Sequence, residues 1–305
     1  MFQAIRMFIL FCAGLSASAS ALSYASLDNC LLNAVDCRNE TEALLQNEKQ
    51  GERDWYMLMY YNLSARWELD NLEITTEEVS QYAAFEEAPD VFRIVVYTIY
   101  AKKLLTEGNT EVGADYVQLA RELIMNSTGS APDPRRLAEL INLYNYLHQY
   151  ETANEVAVWA LSKTAHIRNP YVKASLYLSV GHVAGFLNDY PRAIEYYGYV
   201  VEASEELNDP MNLAFGQANL AIAYRKTENY DMARFWLNKA VESMEKAVGD
   251  YPTKNKTYLK MRLIELDFLQ GKVAEGKQAL KAIKPDDVLN HHRAFFRSLT
   301  EMATR

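Results

Sequence analysis

The sequence predicts an all-α solenoid of stacked helical hairpins. Three observations carry that expectation. Small or apolar residues recur every 40 positions, in four parallel series: Gly113, Ala153, Ala193, Ala233; Ala120, Ala160, Val200, Ala240; Leu104, Tyr144, Ala184, Tyr224; and Ala101, Ile141, Gly181, Ala221. A fixed period of this length marks supersecondary units that stack on one another. Asn169-Pro170 and Asp209-Pro210 fall between the units, where proline suits a helix's first turn and disfavours helix in the residue before it. Only 12 Gly and 8 Pro occur in 305 residues, half of them hydrophobic, which is globular composition with few breakers.

Residues 1–21 read as a signal peptide. Arg6 gives the positive start, Met7 to Leu15 the apolar run, and Ser16 to Ala21 the small-residue cleavage frames. The apolar run is far too short to span a bilayer, and no later stretch approaches the length of a span. The mature chain is therefore expected to be exported: periplasmic in a Gram-negative source, secreted otherwise. Arg6 is the only charge in the leader, so its removal takes the net charge from −9 to −10. An acidic chain without a basic run is a poor partner for nucleic acid or anionic lipid.

Cys30 and Cys37 remain after the leader. In an exported chain an even pair suggests a disulfide. On one continuous helix seven residues rise about 10.5 Å, beyond the roughly 7 Å Cα limit of a bridge. Either the chain turns and the cysteines pair, or it stays helical and they do not.

Residues 22–90 are expected to form an N-terminal helical cap and an irregular helix pair. Trp55 to Leu69 has apolar residues at helical spacing, and the Thr75-Thr76-Glu77-Glu78 start signal precedes a helix carrying Val79, Tyr82, Ala83 and Phe85. Residues 91–250 hold four units of period 40. The first runs from Val91 to Ser127 with a break at Glu107-Gly108-Asn109; Ser127 to Pro134 is the longest loop-like stretch. The second pairs Arg135–Leu147 with Thr152–Thr164, the third Tyr171–Leu187 with Pro191–Leu207, and the fourth Met211–Lys226 with Asp231–Val248. Residues 251–305 hold a degenerate pair, Lys256–Leu269 and Lys272–Ile283, slipped about three positions off the lattice. A capping helix over Pro285–Arg305 follows.

Within each unit the second helix places a small residue (Gly113, Ala153, Ala193, Ala233) where two antiparallel backbones approach. Tyr150, Tyr190 and Tyr230 supply bulk just before it, and Thr110 takes that place in the first unit. This arrangement resembles the tetratricopeptide repeat (TPR) family. Its pattern is carried by Tyr177, Val180, Gly181, Ala184, Ala193, Tyr197 and Val200 in the third unit, and by Leu220, Ala221, Tyr224, Ala233, Leu237 and Ala240 in the fourth. The first unit repeats it from Tyr97 to Ala120, and the period of 40 looks like a longer-helix branch of the family.

The resemblance implies a right-handed solenoid with a concave groove lined by each unit's first helix. It places Asn142, Asn145 and Tyr146, then His182, Gly185 and Phe186, then Ile222, Arg225 and Lys226 on that face. Asparagines bond peptide amides, aromatics give contact area, and Arg225 or Lys226 would hold a carboxylate. A protein or peptide partner is the implied ligand, and Asn142, His182 and Arg225 are expected to serve binding more than folding. Tyr146, Phe186 and Ile222 equally suit packing between helices. The family's carboxylate-clamp pattern is not met, since Ala138 and Phe215 stand where basic residues belong.

No catalytic, cofactor-binding or metal-ligating motif accompanies this architecture. Phosphate-binding glycine loops, dinucleotide turns, His-Glu-x-x-His and Gly-x-Ser-x-Gly are all missing. The adjacent His291 and His292 point in different helical directions and read as solvated surface. The leading expectation is thus an exported, non-enzymatic interaction module or adaptor of the cell envelope, able to dock to a membrane protein. The alternative is a soluble sensory or regulatory partner of a membrane signalling protein (kinase or GGDEF-type), and the third is an envelope hydrolase.

Overall fold

The structure is a computed structural model that describes residues 30, 34–70, 73–127, 133–247, 251–289 and 292–304. The leader expected over residues 1–21, His291 and the middle of the Ser127–Pro134 loop lie outside these. Among the described residues the fold is all-α, with no strand, and forms a right-handed TPR-like solenoid.

The N-terminal part contains α1 (Ala34–Leu45), α2 (Arg53–Asp70) and α3 (Thr76–Ala83). Thr75 caps α3 by accepting from the Glu78 backbone N–H at 3.0 Å. Four regular hairpins follow: α4 (Asp90–Thr106) with α5 (Thr110–Ser127), α6 (Pro134–Tyr146) with α7 (Tyr150–Thr164), α8 (Pro170–Phe186) with α9 (Tyr190–Glu206), and α10 (Pro210–Lys226) with α11 (Tyr230–Lys246). The C-terminal part has α12 (Tyr251–Leu269), α13 (Val273–Lys281) and α14 (Arg293–Thr304).

The first helices of the second, third and fourth units share one start. Pro134, Pro170 and Pro210 sit in their first turns, and Asp133, Asn169 and Asp209 before them cap the helix. Their side chains accept from the N–H groups of Arg135 at 2.9 Å, Val172 at 3.3 Å and Asn212 at 3.1 Å. Each hairpin also turns in one way. The last residue but one of the turn takes a left-handed backbone, at Gly108 (φ 85°), His148 (58°), Asn188 (59°) and Glu228 (60°), again 40 apart. The next N–H then reaches back five residues, as from Gln149 to the Tyr144 carbonyl at 2.9 Å and from Asp189 to that of Ala184 at 2.8 Å. The fifth turn has Gly271 (φ 75°), which registers the three-residue slip of the last hairpin.

The small residues stand where helices touch. Ala153, Ala193 and Ala233 are fully buried, and a side-chain carbon built on Gly113 would lie 2.8 Å from Leu105. Tyr150 and Tyr190 fill space and also close the turn. The Tyr150 hydroxyl lies 2.7 Å from His148 Nδ1, and Tyr190 donates to Asn188 Oδ1 at 2.6 Å. Buried side chains form successive clusters along the stack, beginning with Cys30, Cys37, Leu58 and Leu69, and ending with Met261, Leu280, Val288 and Leu299. Cys30 and Cys37 are joined by a disulfide with their Cα atoms 4.4 Å apart, far closer than one continuous helix would space them.

The C-terminal end departs from expectation. Pro285–Asp287 is a single 3-10 turn, Val288 is extended, and α14 begins only at Arg293. The chain leaves the helix because Val288 is buried in the last cluster. His292 is also not a plain surface group, for its ring stacks on Tyr258 at 4.1 Å.

Candidate partner-binding groove

First helices pack directly on one another as far as the third unit, α2 on α4, α4 on α6 and α6 on α8, whereas α10 packs chiefly on α9; second helices make no comparable contact with one another. The first helices therefore form the inner face, and the repeat puts equivalent positions side by side. Leu105, Asn145, Gly185 and Arg225 make one row; Thr106, Tyr146, Phe186 and Lys226 make the next.

Five of the nine groove residues named from sequence meet in one recess of about 380 Å³: Asn142, Asn145, Tyr146, His182 and Phe186. Leu105 and Thr106 of α4 close one side, and the His148–Tyr150 turn the other. Phe186 is 51% exposed and stacks on Tyr150 at 4.7 Å with 14° between the rings. Tyr146 is 39% exposed. Asn142 is half-buried, whereas Asn145 is buried with its side-chain oxygen unpartnered. His182 is half-buried, sits edge-on to Tyr197 at 5.7 Å and hydrogen-bonds Asn219 of the next unit. Burial pushes its imidazole down to about 4, against the smaller upward pull of Asn219.

Arg225 and Lys226 do not join this recess. Arg225 pairs with Glu265 of α12 at 3.5 Å, and Arg262 holds the same carboxylate at 3.0 Å. Its charge serves packing of the fourth unit on the C-terminal part, which corrects the expectation of a free carboxylate holder. Lys226 is exposed at the end of α10, and Ile222 is half-buried. His182 and Arg225 thus carry structural contacts, so they are not dispensable to folding as expected; Asn142 has no such contact among the described residues.

A second cavity of about 150 Å³ adjoins along the inner face. Tyr60, Trp67 and Glu68 come from α2, Thr98 and Lys102 from α4, Arg135, Arg136 and Glu139 from α6, and Tyr171 from the start of α8. Lys102 links the two spaces. Its ammonium donates to Glu139 Oε2 at 2.6 Å and lies 5.2 Å from the Trp67 ring centre and 5.9 Å from that of Tyr146. The sequence reading passed over this residue, although stepping back 40 from Asn142 arrives at it. Lys102 to Glu139 and His182 to Asn219 are both 37 apart, so one polar cross-link recurs along the groove. Glu68 and Tyr60 lie before the regular lattice, where no period points to them.

The described residues contain no group of His, Cys, Asp and Glu able to hold a metal ion, and no described helix is long and apolar enough to cross a membrane. No protein-family model and no curated protein matches the chain. Solved structures do. A Rap protein complexed with Competence and Sporulation Factor superimposes with a TM-score of 0.64 at 11% identity, over 92% of this chain and 77% of that one. A tetratricopeptide repeat protein from Parabacteroides merdae gives 0.52 at 12% identity, over 92% of this chain and all of that one. A putative kinesin light chain from Podosopora anserina with nearly identical TPR-like repeats gives 0.51 at 15% identity, over 72% and 99%. With its 40-residue hairpins, left-handed turns and inner face of first helices, this chain has the tetratricopeptide-like fold.

Proposed function

We propose that this chain is an exported, non-enzymatic adaptor of the cell envelope that holds an extended segment of a partner protein along its inner face. A TPR-like solenoid is the architecture of a protein–protein interaction module. The observation that carries the reading is the convergence of first helices from three units on one recess. There Tyr146 and Phe186 stay exposed beside Asn142. Exposed aromatics with adjacent amides suit a peptide, because rings supply contact area and amides bond the extended backbone. The leader-like N-terminus and the Cys30–Cys37 bond support an oxidising, exported setting.

The test is capture from envelope extracts with the wild-type chain and with a Tyr146→Ala, Phe186→Ala double variant. Loss of a specific partner from the double variant, with its helical spectrum unchanged, supports the groove reading. Equal capture by both places the contact on another surface. A membrane signalling receptor as the captured protein favours the regulatory alternative, and turnover of cell-wall or peptide substrate overturns the non-enzymatic reading.

A further inference from the structure

The recess between α4, α6 and α8 has a wall without acidic or basic side chains. None of the residues lining it is a lysine, arginine, aspartate or glutamate. Its two histidines are engaged: His148 Nδ1 lies 2.7 Å from the Tyr150 hydroxyl, and His182 bonds Asn219. Desolvation keeps the His182 imidazole uncharged at neutral pH. The Lys102 ammonium, 5.9 Å from the Tyr146 ring centre, is already taken by Glu139 at 2.6 Å. The rings of the recess leave room between them. Tyr146 and Phe186 are equivalent residues, one period apart, on α6 and α8, which pack on each other. Both stay exposed, and no ring contact joins them among the described residues. Phe186 has one face on Tyr150, at 4.7 Å and 14°, and is still 51% exposed.

We infer that the partner segment enters this recess with an uncharged aromatic side chain, phenylalanine or tryptophan, stacked on Phe186 and flanked by Tyr146. The inference rests on the reading of the groove as a peptide site and names the residue that anchors the peptide there. A charged side chain entering here gives up its water and meets no opposite charge in return, which is costly. An aliphatic side chain gains burial but cannot continue the Tyr150–Phe186 stack. A flat ring gains both, because offset-stacked rings attract beyond the area they bury.

Spacing and size point the same way. Equivalent positions on packed helices lie about 8–10 Å apart. One flat group held between two others needs about 7–8 Å, two carbon contacts of roughly 3.5–4.0 Å. A cavity of about 150 Å³ already takes a benzene ring. The recess, at about 380 Å³, therefore takes an indole together with the peptide unit that carries it. Asn142, half-buried on the same wall, has an amide to offer that peptide unit.

Nuclear magnetic resonance titration of the full chain with capped glycine–serine heptapeptides, differing only in the central residue, tests the assignment. Peptides centred on tryptophan or phenylalanine bind. The leucine peptide binds about fivefold more weakly. Glutamate and lysine peptides bind at least about tenfold more weakly. Phe186→Ala and Tyr146→Ala each abolish the preference for aromatics while keeping the wild-type helical spectrum. Tyr199→Ala, which removes an exposed tyrosine of the second helix α9, keeps it. A leucine or charged peptide that binds as well as the aromatic ones overturns the inference, as does a preference that survives both groove variants or a failure of every peptide to bind. Capture of a partner that still depends on Tyr146 and Phe186, without any aromatic preference, sinks the anchor and leaves the groove reading standing. Capture that survives their loss sinks the groove reading itself.

Discussion

At single residues the repeat is held by conformations that side chains tolerate unequally. Four equivalent turns need a left-handed backbone, which only Gly108 adopts without cost; His148, Asn188 and Glu228 do so with a side-chain carbon in place. His148 and Asn188 recover some of it through the tyrosine two residues on, whereas Glu228 is exposed and no side-chain hydrogen bond is seen on it. Glu228→Gly should therefore raise stability by about 0.5–1 kcal/mol, read as a higher denaturant midpoint, and His148→Gly should gain less. His182 gives a pH dependence of defined sign. The folded chain keeps this imidazole neutral down to about pH 4, while the unfolded chain protonates it near 6.5. Unfolding thus takes up a proton in that window, and stability falls as pH drops from about 6.5 toward 4. His182→Gln should remove this contribution, about 1–3 kcal/mol between neutral pH and pH 4. Unfolding of both proteins by denaturant at the two pH values isolates it as a difference; parallel pH profiles would show that His182 titrates freely.

At the level of helices, stability depends on how closely two of them approach, and two glycines separate the cases. A side-chain carbon on Gly181 of α8 would lie 2.6 Å from the Tyr197 ring of α9, which is itself 94% buried and cannot swing away. Gly181→Ala should cost about 1–3 kcal/mol by overpacking. Gly198 of α9 meets nothing within 4 Å, so Gly198→Ala should instead stabilise by about 0.5–1 kcal/mol through helix propensity alone. Opposite shifts in melting temperature for the two variants are expected; a loss in both would mean that the hairpins tolerate no change of shape at either place. Helix positions were legible in the sequence for the same reason. Every unit must solve one contact, so Ala153, Ala193 and Ala233 recur in register and the prolines at 170 and 210 mark the starts. The stretch after Pro285 was not legible, because burial of Val288 against Met261 and Leu280 is a tertiary demand that overrides local helix preference. Nor did the left-handed turns announce themselves, since glycine, the residue that signals them, is present at only one of the four.

Across the whole molecule each unit touches mainly its neighbours, so perturbations should stay local. The groove was readable only where the lattice runs. Asn142, Tyr146, His182 and Phe186 follow from their place after Ile141 and Gly181, equivalent positions of two first helices. Lys102 was within reach of the same step, whereas Tyr60, Trp67 and Glu68 enter the groove from an irregular helix. Arg225 was misjudged because its partner Glu265 sits on the slipped hairpin, beyond the register that sequence spacing describes. The Cys30–Cys37 bond makes the locality testable. It closes a loop of about eight residues, for which the loop-entropy estimate is roughly 2.5 kcal/mol. Both cysteines belong to the cluster formed with Ala34, Leu58, Ala65 and Leu69, which joins α1 to α2 and stops short of the regular hairpins. A Cys30→Ser, Cys37→Ser variant should exchange its amide hydrogens faster in α1 and the facing part of α2. Protection from α6 onward should remain at the wild-type level. Loss of protection spreading through α8 and α10 would show that the stack unfolds as one cooperative unit, with the N-terminal cap as its anchor.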